Sequence, residues 1–416
     1  MSTSRNAVAG TFPMARRLTL PPDASILPDN ANVKDSKMKT RPLLLCLLAL
    51  CAAGALRAKE FEFQFTSSLD RSPQLAVGFV PDGHDGNSPL PLLVEAHYMG
   101  GDRNTAKKLG FQAECQRRGW LLVSPELHGD RAPGPFSMAA LPAQRDILDA
   151  IAHMKANYPV DSSRIYLDGR SMGGMMAMLM AAKHPELFAA VMAGQGVSDL
   201  KPFMGQTACA GVRDGVLKEL APYGPDSAFE YARRSAVNYA PNFQYVPFML
   251  WHGTNDTWVP PSQSQALFDA IKRYNPHQAP VSWLVGAPHC ADNYTPAWIC
   301  SQLQYFQNQP EAGMNVPTRF YPKLEFVADE PLDFFWLRVE PVATDKFCRV
   351  KASIENGKLT IAAESVKALA VLADKIDKGS PFAKVECVSD VPLTLTLVKD
   401  GKVAATATGN KTELKN

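Results

Sequence analysis

The chain has 416 residues, enough for two or more domains, and its 43 basic and 41 acidic side chains almost cancel. A balance of that kind leaves no basic field for nucleic acid. Neither C-x-x-C nor H-E-x-x-H spacing occurs, so no zinc site is expected, and no other cofactor is.

Residues 1–37 are rich in Ser, Pro, Asn and Asp without an apolar period, and are expected to be a disordered or untranslated leader. From Met38 a basic stretch with Lys39 and Arg41 leads into apolar residues 43–56, ending in the small residues Ala52, Ala53, Gly54 and Ala55. A basic start, an apolar run too short to span a bilayer and small residues at its end make a secretory signal peptide over 38–58, cleaved after Ala55 or Ala58. The expected location is therefore the periplasm or the exterior, with no membrane contact after cleavage. Leu48-Ala49-Leu50-Cys51 loosely resembles a lipoprotein cleavage box, but Leu50 is larger than the usual residue there, so a lipid anchor on Cys51 is the lesser expectation. Six cysteines follow the signal, an even number suited to an oxidising compartment. Their connectivity is open; Cys290 with Cys300 and Cys348 with Cys387 are expected pairs because each lies inside one predicted domain.

Residues 59–308 alternate strand and helix patterns. Phe61, Phe63 and Phe65 alternate with polar residues as a half-buried strand, and 75–80 is its antiparallel partner. A continuous apolar run over 91–97 predicts a buried central strand, ending at Tyr98-Met99-Gly100-Gly101. A helix over 105–118, a strand over 120–124 and an amphipathic helix over 140–157 follow. Strand 165–167 runs into Gly169-Arg170-Ser171-Met172-Gly173-Gly174 and a helix over 175–183. Further strands are predicted at 188–194, 246–251 and 281–285, with helices at 262–274 and 296–307. Such alternation predicts a mostly parallel sheet with helices on both faces and a site at the carboxyl ends of its strands. Residues 198–245 interrupt it and are expected to cap that site. A linker over 309–318 separates a domain over 319–416 with strands at 333–340, 348–354, 358–363, 368–373, 383–388, 393–398 and 402–408, most simply a β-sandwich. Asn356-Gly357 and Asp400-Gly401 are hairpin turns.

G-x-S-x-G between a strand and a helix is the setting of a serine nucleophile. The two glycines provide clearance where strand and helix pass close together. A serine hydroxyl needs a base, and the base needs an acid to hold its tautomer. Asp256, in the turn after strand 246–251, is the acid candidate, and His289, in the turn after strand 281–285, is the base candidate. His252, just before the acid turn, is expected to pack beneath it. Oxyanion donors are expected from the backbone N–H of Met172 and from Tyr98, through its N–H or its phenol. Arg170 has no evident role.

Gly169 to Gly174, the run Arg234-Ser235-Ala236-Val237-Asn238-Tyr239 and His252-Gly253-Thr254-Asn255-Asp256-Thr257-Trp258-Val259-Pro260 resemble the catalytic domain of the prolyl oligopeptidase group of α/β-hydrolases over about residues 75–308. The resemblance implies an α/β-hydrolase fold followed by the C-terminal β-domain. It also implies a phenol donor at Tyr98, since a tyrosine in the oxyanion turn donates that way in this group. Peptidases of the group carry a large N-terminal propeller, whereas here the chain offers a signal and two strands before the domain. It is in this respect similar to secreted bacterial carbohydrate esterases, of feruloyl or acetyl-xylan type, and to polyester depolymerases. The expectation is a secreted serine hydrolase whose partner is a small-molecule or polysaccharide ester. A short-peptide peptidase is the alternative, and a glycan-binding protein on a retired hydrolase scaffold is a third.

Overall fold

A computed structural model describes residues 58–129, 136–224, 227–274, 280–289, 294–308 and 319–416. The expected leader, the signal peptide up to residue 57 with Cys51, the linker up to residue 318 and Cys290 lie outside the described residues.

Strands β1 (Lys59–Thr66) and β2 (Pro73–Val80) pair antiparallel, with Phe63 opposite Ala76. β3 (Leu90–Ala96) is buried along nearly its whole length, as a strand covered on both faces must be. The helix expected over 105–118 is two, α1 (Thr105–Leu109) and α2 (Phe111–Arg118). Gly110 takes φ 92° between them, a conformation that ends one helix and re-aims the next. β4 (Leu121–Pro125), α3 (Leu141–Asn157), β5 (Val160–Arg170), α4 (Met172–Lys183) and β6 (Ala190–Gly194) follow. Then come α5 (Leu200–Gln206), α6 (Ala210–Leu220), α7 (Ala228–Arg233) and a 3₁₀ stretch Ala236–Tyr245. β7 (Phe248–Gly253), α8 (Ser262–Ile271), β8 (Val281–Leu284) and α9 (Pro296–Gln307) complete this part.

The eight strands stand in the order β1-β2-β4-β3-β5-β6-β7-β8, and β4, β3, β5, β6, β7 and β8 run parallel. From β3 the chain steps to β4 on one side, then returns through α3 to β5 on the other. The strand order therefore reverses between β3 and β5, and a crevice opens at the carboxyl ends of those two strands. Every residue of α4 is buried, so the helix needs no polar face.

The second sheet holds β9 (Lys323–Ala328), β10 (Leu332–Phe334), β11 (Leu337–Pro341), β12 (Cys348–Glu355), β13 (Lys358–Glu364), β14 (Val366–Leu372), β15 (Lys384–Lys399) and β16 (Lys402–Lys415). β9 is not among the strands expected from the sequence. Two predicted strands merge into β15, whose first half pairs with β13 and second half with β14. One long strand thus joins two half-sheets, and alternate residues of both, such as Phe326, Val350, Leu369 and Leu395, share one core. Asn356 and Gly357, and Asp400 and Gly401, all take positive φ at the hairpin tips.

The expected pairing of Cys348 with Cys387 is not made. Both are buried free thiols, Cys348 on β12 and Cys387 on β15, with β13 between them. Two strand spacings alone separate them laterally by about 9–10 Å, and Cys348 is offset further along β12 from Ala352, the residue in register with Cys387 through Ile361, which is beyond the reach of a disulfide. Cys300 is likewise a free thiol.

Candidate active site

The site is built at the reversal between β3 and β5. Ser171 follows β5 directly and takes φ 57°, ψ −120°, strained for a residue with a side chain. Its N–H donates to Gly194 O at 2.8 Å and its carbonyl accepts from Met175 N–H at 3.0 Å, which pins the turn to β6 and α4. Both motif glycines are required sterically: a Cβ on Gly169 would lie 2.2 Å from Gly173 O, and one on Gly173 would lie 1.9 Å from Ala96 O. The sequence pattern starts the helix at Met175, whereas α4 begins at Met172, because the glycine pair is helical and serves close packing.

His289 stands in the turn after β8. Its Nε2 is 2.9 Å from Ser171 Oγ and its Nδ1 is 2.6 Å from Asp256 Oδ2. A carboxylate only accepts, so Nδ1–H donates and Nε2 is left to accept the serine proton. The turns after β7 and β8 are laced together: Asn255 N–H donates to Ala287 O at 3.0 Å and Gly286 N–H to Thr254 Oγ1 at 2.8 Å. Gln195, after β6, donates from Nε2 to Pro288 O at 2.9 Å. The half-exposed Trp258 ring lies 5.5 Å from the His289 ring.

Asp256 is almost fully buried, and burial alone would push its pKa up. Hydrogen bonds from His252, His289 and the backbone N–H of Val259 more than offset this and hold it below the usual carboxylate range. Oδ1 accepts from Trp258 N–H at 3.0 Å and Val259 N–H at 2.9 Å. His252 is buried beneath the turn, with Nε2 2.8 Å from Val259 O and 3.3 Å from Asp256 Oδ2 and Nδ1 2.7 Å from Ser264 Oγ. Its contribution to the acid exceeds packing, and the signal was its place at the end of the strand leading to Asp256. β6 separates β7 from β5, so Asp256 does not lie beside the serine strand; His289 spans the gap.

Met172 opens α4, where the first N–H groups lack acceptors within the helix and face the crevice end of the sheet. Tyr98 is partly exposed in the turn after β3, whose Gly101 N–H donates to Tyr98 O at 2.8 Å. His97 anchors this turn, its two ring nitrogens 2.9 Å from Tyr98 O and 2.6 Å from Glu126 O. The Tyr98 phenol makes no hydrogen bond among the described residues.

Beneath the elbow lies a feature the sequence reading missed. Glu95 on β3 and Asp168 on β5 are direct register partners, both buried. Burial and the neighbouring Asp168 push Glu95 up to about 8, against a hydrogen bond from Ser124 Oγ at 3.2 Å. Burial pushes Asp168 up to about 7. The charge of Arg170 opposes both rises, which gives this residue, buried beside Ser171, an electrostatic place.

Within 198–245, the segment expected to cap the site, Thr207, Ala208 and Gly215 contact residues that border it. Thr207 Oγ1 donates to Trp258 O at 2.7 Å and Ala208 N–H to Thr257 O at 3.0 Å. Gly215 of α6 packs against Phe136 and Met99. Among the described residues no cluster of His, Cys, Asp or Glu could hold a metal ion, and no helix is long and apolar enough to cross a membrane.

A strand–serine–helix elbow on a mostly parallel eight-stranded sheet defines an α/β-hydrolase fold. Residues 142–312 match the prolyl oligopeptidase family. It is 30% identical over 207 residues to an acetylxylan esterase of Coprinopsis cinerea, covering 45% of this chain and 52% of the relative. A feruloyl esterase B of Neurospora crassa is 29% identical over 253 residues, covering 56% of this chain and 80% of the relative. Dipeptidyl-peptidase 5 of Porphyromonas gingivalis is 25% identical over 230 residues, 51% of this chain and 32% of the relative. The chain spans about half the length of the acetylxylan esterase it matches.

Proposed function

We propose that the chain is an exported serine esterase that cleaves acyl esters of plant polysaccharide, of the feruloyl or acetyl type. The observation that carries this reading is the unbroken hydrogen-bonded line from Ser171 Oγ through His289 to Asp256. Ser171 Oγ attacks the ester carbonyl while His289 Nε2 takes its proton, and Asp256 holds the tautomer and offsets the imidazolium charge. The oxyanion that forms is held by the Met172 N–H and by Tyr98. As the tetrahedral intermediate collapses, the C–O bond to the alcohol breaks and His289 returns the proton to the departing oxygen. Water, deprotonated by His289, then releases the acid from the acyl-serine.

The match spans 80% of the feruloyl esterase's length against 32% of the peptidase's, which favours ester over peptide substrates. Export rests on the basic, apolar and small-residue order of 38–58. Nitrophenyl acetate, methyl ferulate and a prolyl-peptide anilide offered to the purified protein test the reading. Turnover of the two esters is expected, and cleavage of the anilide alone would overturn it in favour of a peptidase.

A further inference from the structure

The β-domain enters the α/β-domain at one corner. After β9 the chain turns at Asp329 and Glu330 into charges supplied by three other elements. Lys183, in the last turn of α4, places Nζ 2.9 Å from Asp329 Oδ1 and 2.6 Å from Glu330 Oε1. Arg233 of α7 donates to Asp329 Oδ2 from Nε at 2.9 Å and Nη2 at 2.8 Å. Arg145 of α3 reaches Glu330 Oε2 at 3.2 Å. Lys183 and Asp329 are fully enclosed. Burial pushes both acids up, and Lys183 with Arg233 for Asp329, and Lys183 with Arg145 for Glu330, more than offset it, so both stay ionised. Beside this corner Asn242 bonds Ala182 O at 2.8 Å and both Val327 O and Val327 N–H at 2.9 Å.

The corner connects to the site through α7 and α6. Arg234, next to Arg233, lies 3.4 Å from Glu230, 3.6 Å from Glu219 of α6 and 3.5 Å from Ser137 O. The Glu219 carboxylate packs on Gly129, where a Cβ would approach within 2.6 Å. Ser137 Oγ in turn stands 3.6 Å from Met172 Sδ, the side chain of the proposed oxyanion residue.

We propose that Asp329 is a positioning residue: by pairing with Arg233 and Lys183, the β-domain fixes α7 and α6 against the loops that border Ser171. The β-domain thereby takes part in binding bulky substrates without touching them. Removing one member of a buried ion set leaves the others uncompensated, so the effect falls on the elements that carry those others. Gly215 of α6 packs against Met99 and Phe136, and Thr207, just ahead of α6, donates to Trp258 O, whereas Ser171, His289 and Asp256 are held by other bonds. Loss of the α6 contacts is therefore read in KM for large substrates and not in kcat.

The inference rests on the esterase reading, and the test separates the two. Asp329→Asn in the full chain is compared with the wild type on nitrophenyl acetate and on a feruloylated xylo-oligosaccharide, with rates scaled to active enzyme. The expected result is a rise in KM of tenfold or more on the oligosaccharide ester, kcat within twofold, constants for nitrophenyl acetate within twofold, and recovery in Asp329→Glu. Equal losses on both substrates, or none on either, overturn the proposal. Should Asp329→Asn fail to fold, Arg233→Lys and Arg145→Gln must show the same loss confined to KM on the large ester, and unchanged constants in both overturn it. A wild type that cleaves only an anilide sinks the esterase reading, and the comparison then runs between a short and a long peptide anilide, with the same outcomes deciding.

Discussion

Asp168, on β5, and Asp256, in the turn after β7 of the same sheet, are equally buried, each 3% exposed, yet their carboxyls move in opposite directions. Asp256 sits in a turn, where two backbone N–H groups and two histidines converge on it. Asp168 sits within a strand, where the backbone N–H of Gly169 is the one main-chain donor that favours its charge, and its register partner is another acid. Burial is common to both; the supply of donors decides which one stays ionised. A turn at a strand's carboxyl end can aim several donors at one side chain, and a strand interior cannot. An acid that is to orient a base is therefore found in the turn.

Asp256→Asn breaks this contrast most severely. The amide keeps the shape but can present a donor to His289 Nδ1, favouring the tautomer that cannot accept the serine proton, and kcat should fall by about 10⁴-fold on nitrophenyl acetate. Tyr98→Phe should cost about 10²-fold in kcat with little change in KM, the effect of removing one oxyanion donor. A variant as active as the parent would assign the second donor to a backbone N–H. Asp168→Asn, by contrast, should change kcat less than threefold, since no hydrogen bond joins this side chain to Ser171 or His289. A loss rivalling that of Asp256→Asn would show that the buried acid pair takes part in the chemistry.

The same distinction explains what was legible in the sequence. Gly169, Ser171 and Gly173 are neighbours along the chain, so a five-residue pattern carries their geometry. Asp256 and His289 each close a strand pattern with a polar turn, and strand order put them at one end of the sheet. Most strands of the C-terminal β-domain showed in their alternation, although β9 and the merging of two strands into β15 did not, because pairing partners decide where an alternating run stops. Glu95 opposite Asp168 was illegible, since register between β3 and β5 is a long-range property. So was the corner at Asp329, whose partners Lys183 and Arg233 look like ordinary surface charges until the domains dock. Gly110 shows the converse: a local residue was read through when it ended a helix. The cysteine pairing failed for the same reason as the acid pair, because the sequence does not state that β13 lies between Cys348 and Cys387.

The smallest expected effect tests the acid pair by stability. Glu95 has its folded pKa raised from 4.5 to about 8 and Asp168 from 3.8 to about 7, so the folded state holds protons that the unfolded chain has already released in that range. A group of this kind contributes fully below its unfolded pKa and loses that contribution as pH rises through its folded pKa. The wild type should therefore lose thermal stability between about pH 4 and 8 on this account, the two acids titrating as one pair. Asp256 acts with the opposite sign: its lowered pKa contributes above the unfolded value and is lost on acidification. Glu95→Gln removes one ionisation without adding bulk and should flatten the decline on the alkaline side alone. At pH 9 its unfolding midpoint should exceed the wild type's by roughly 2–4 °C, the shift that about 1 kcal/mol produces in a domain of this size. At pH 4, where Glu95 is protonated in the folded state, the two midpoints should coincide. Parallel pH profiles for variant and parent would mean that Arg170 already neutralises the pair, and the contrast between the two aspartates would then lie in their counter-ions and not in their donors.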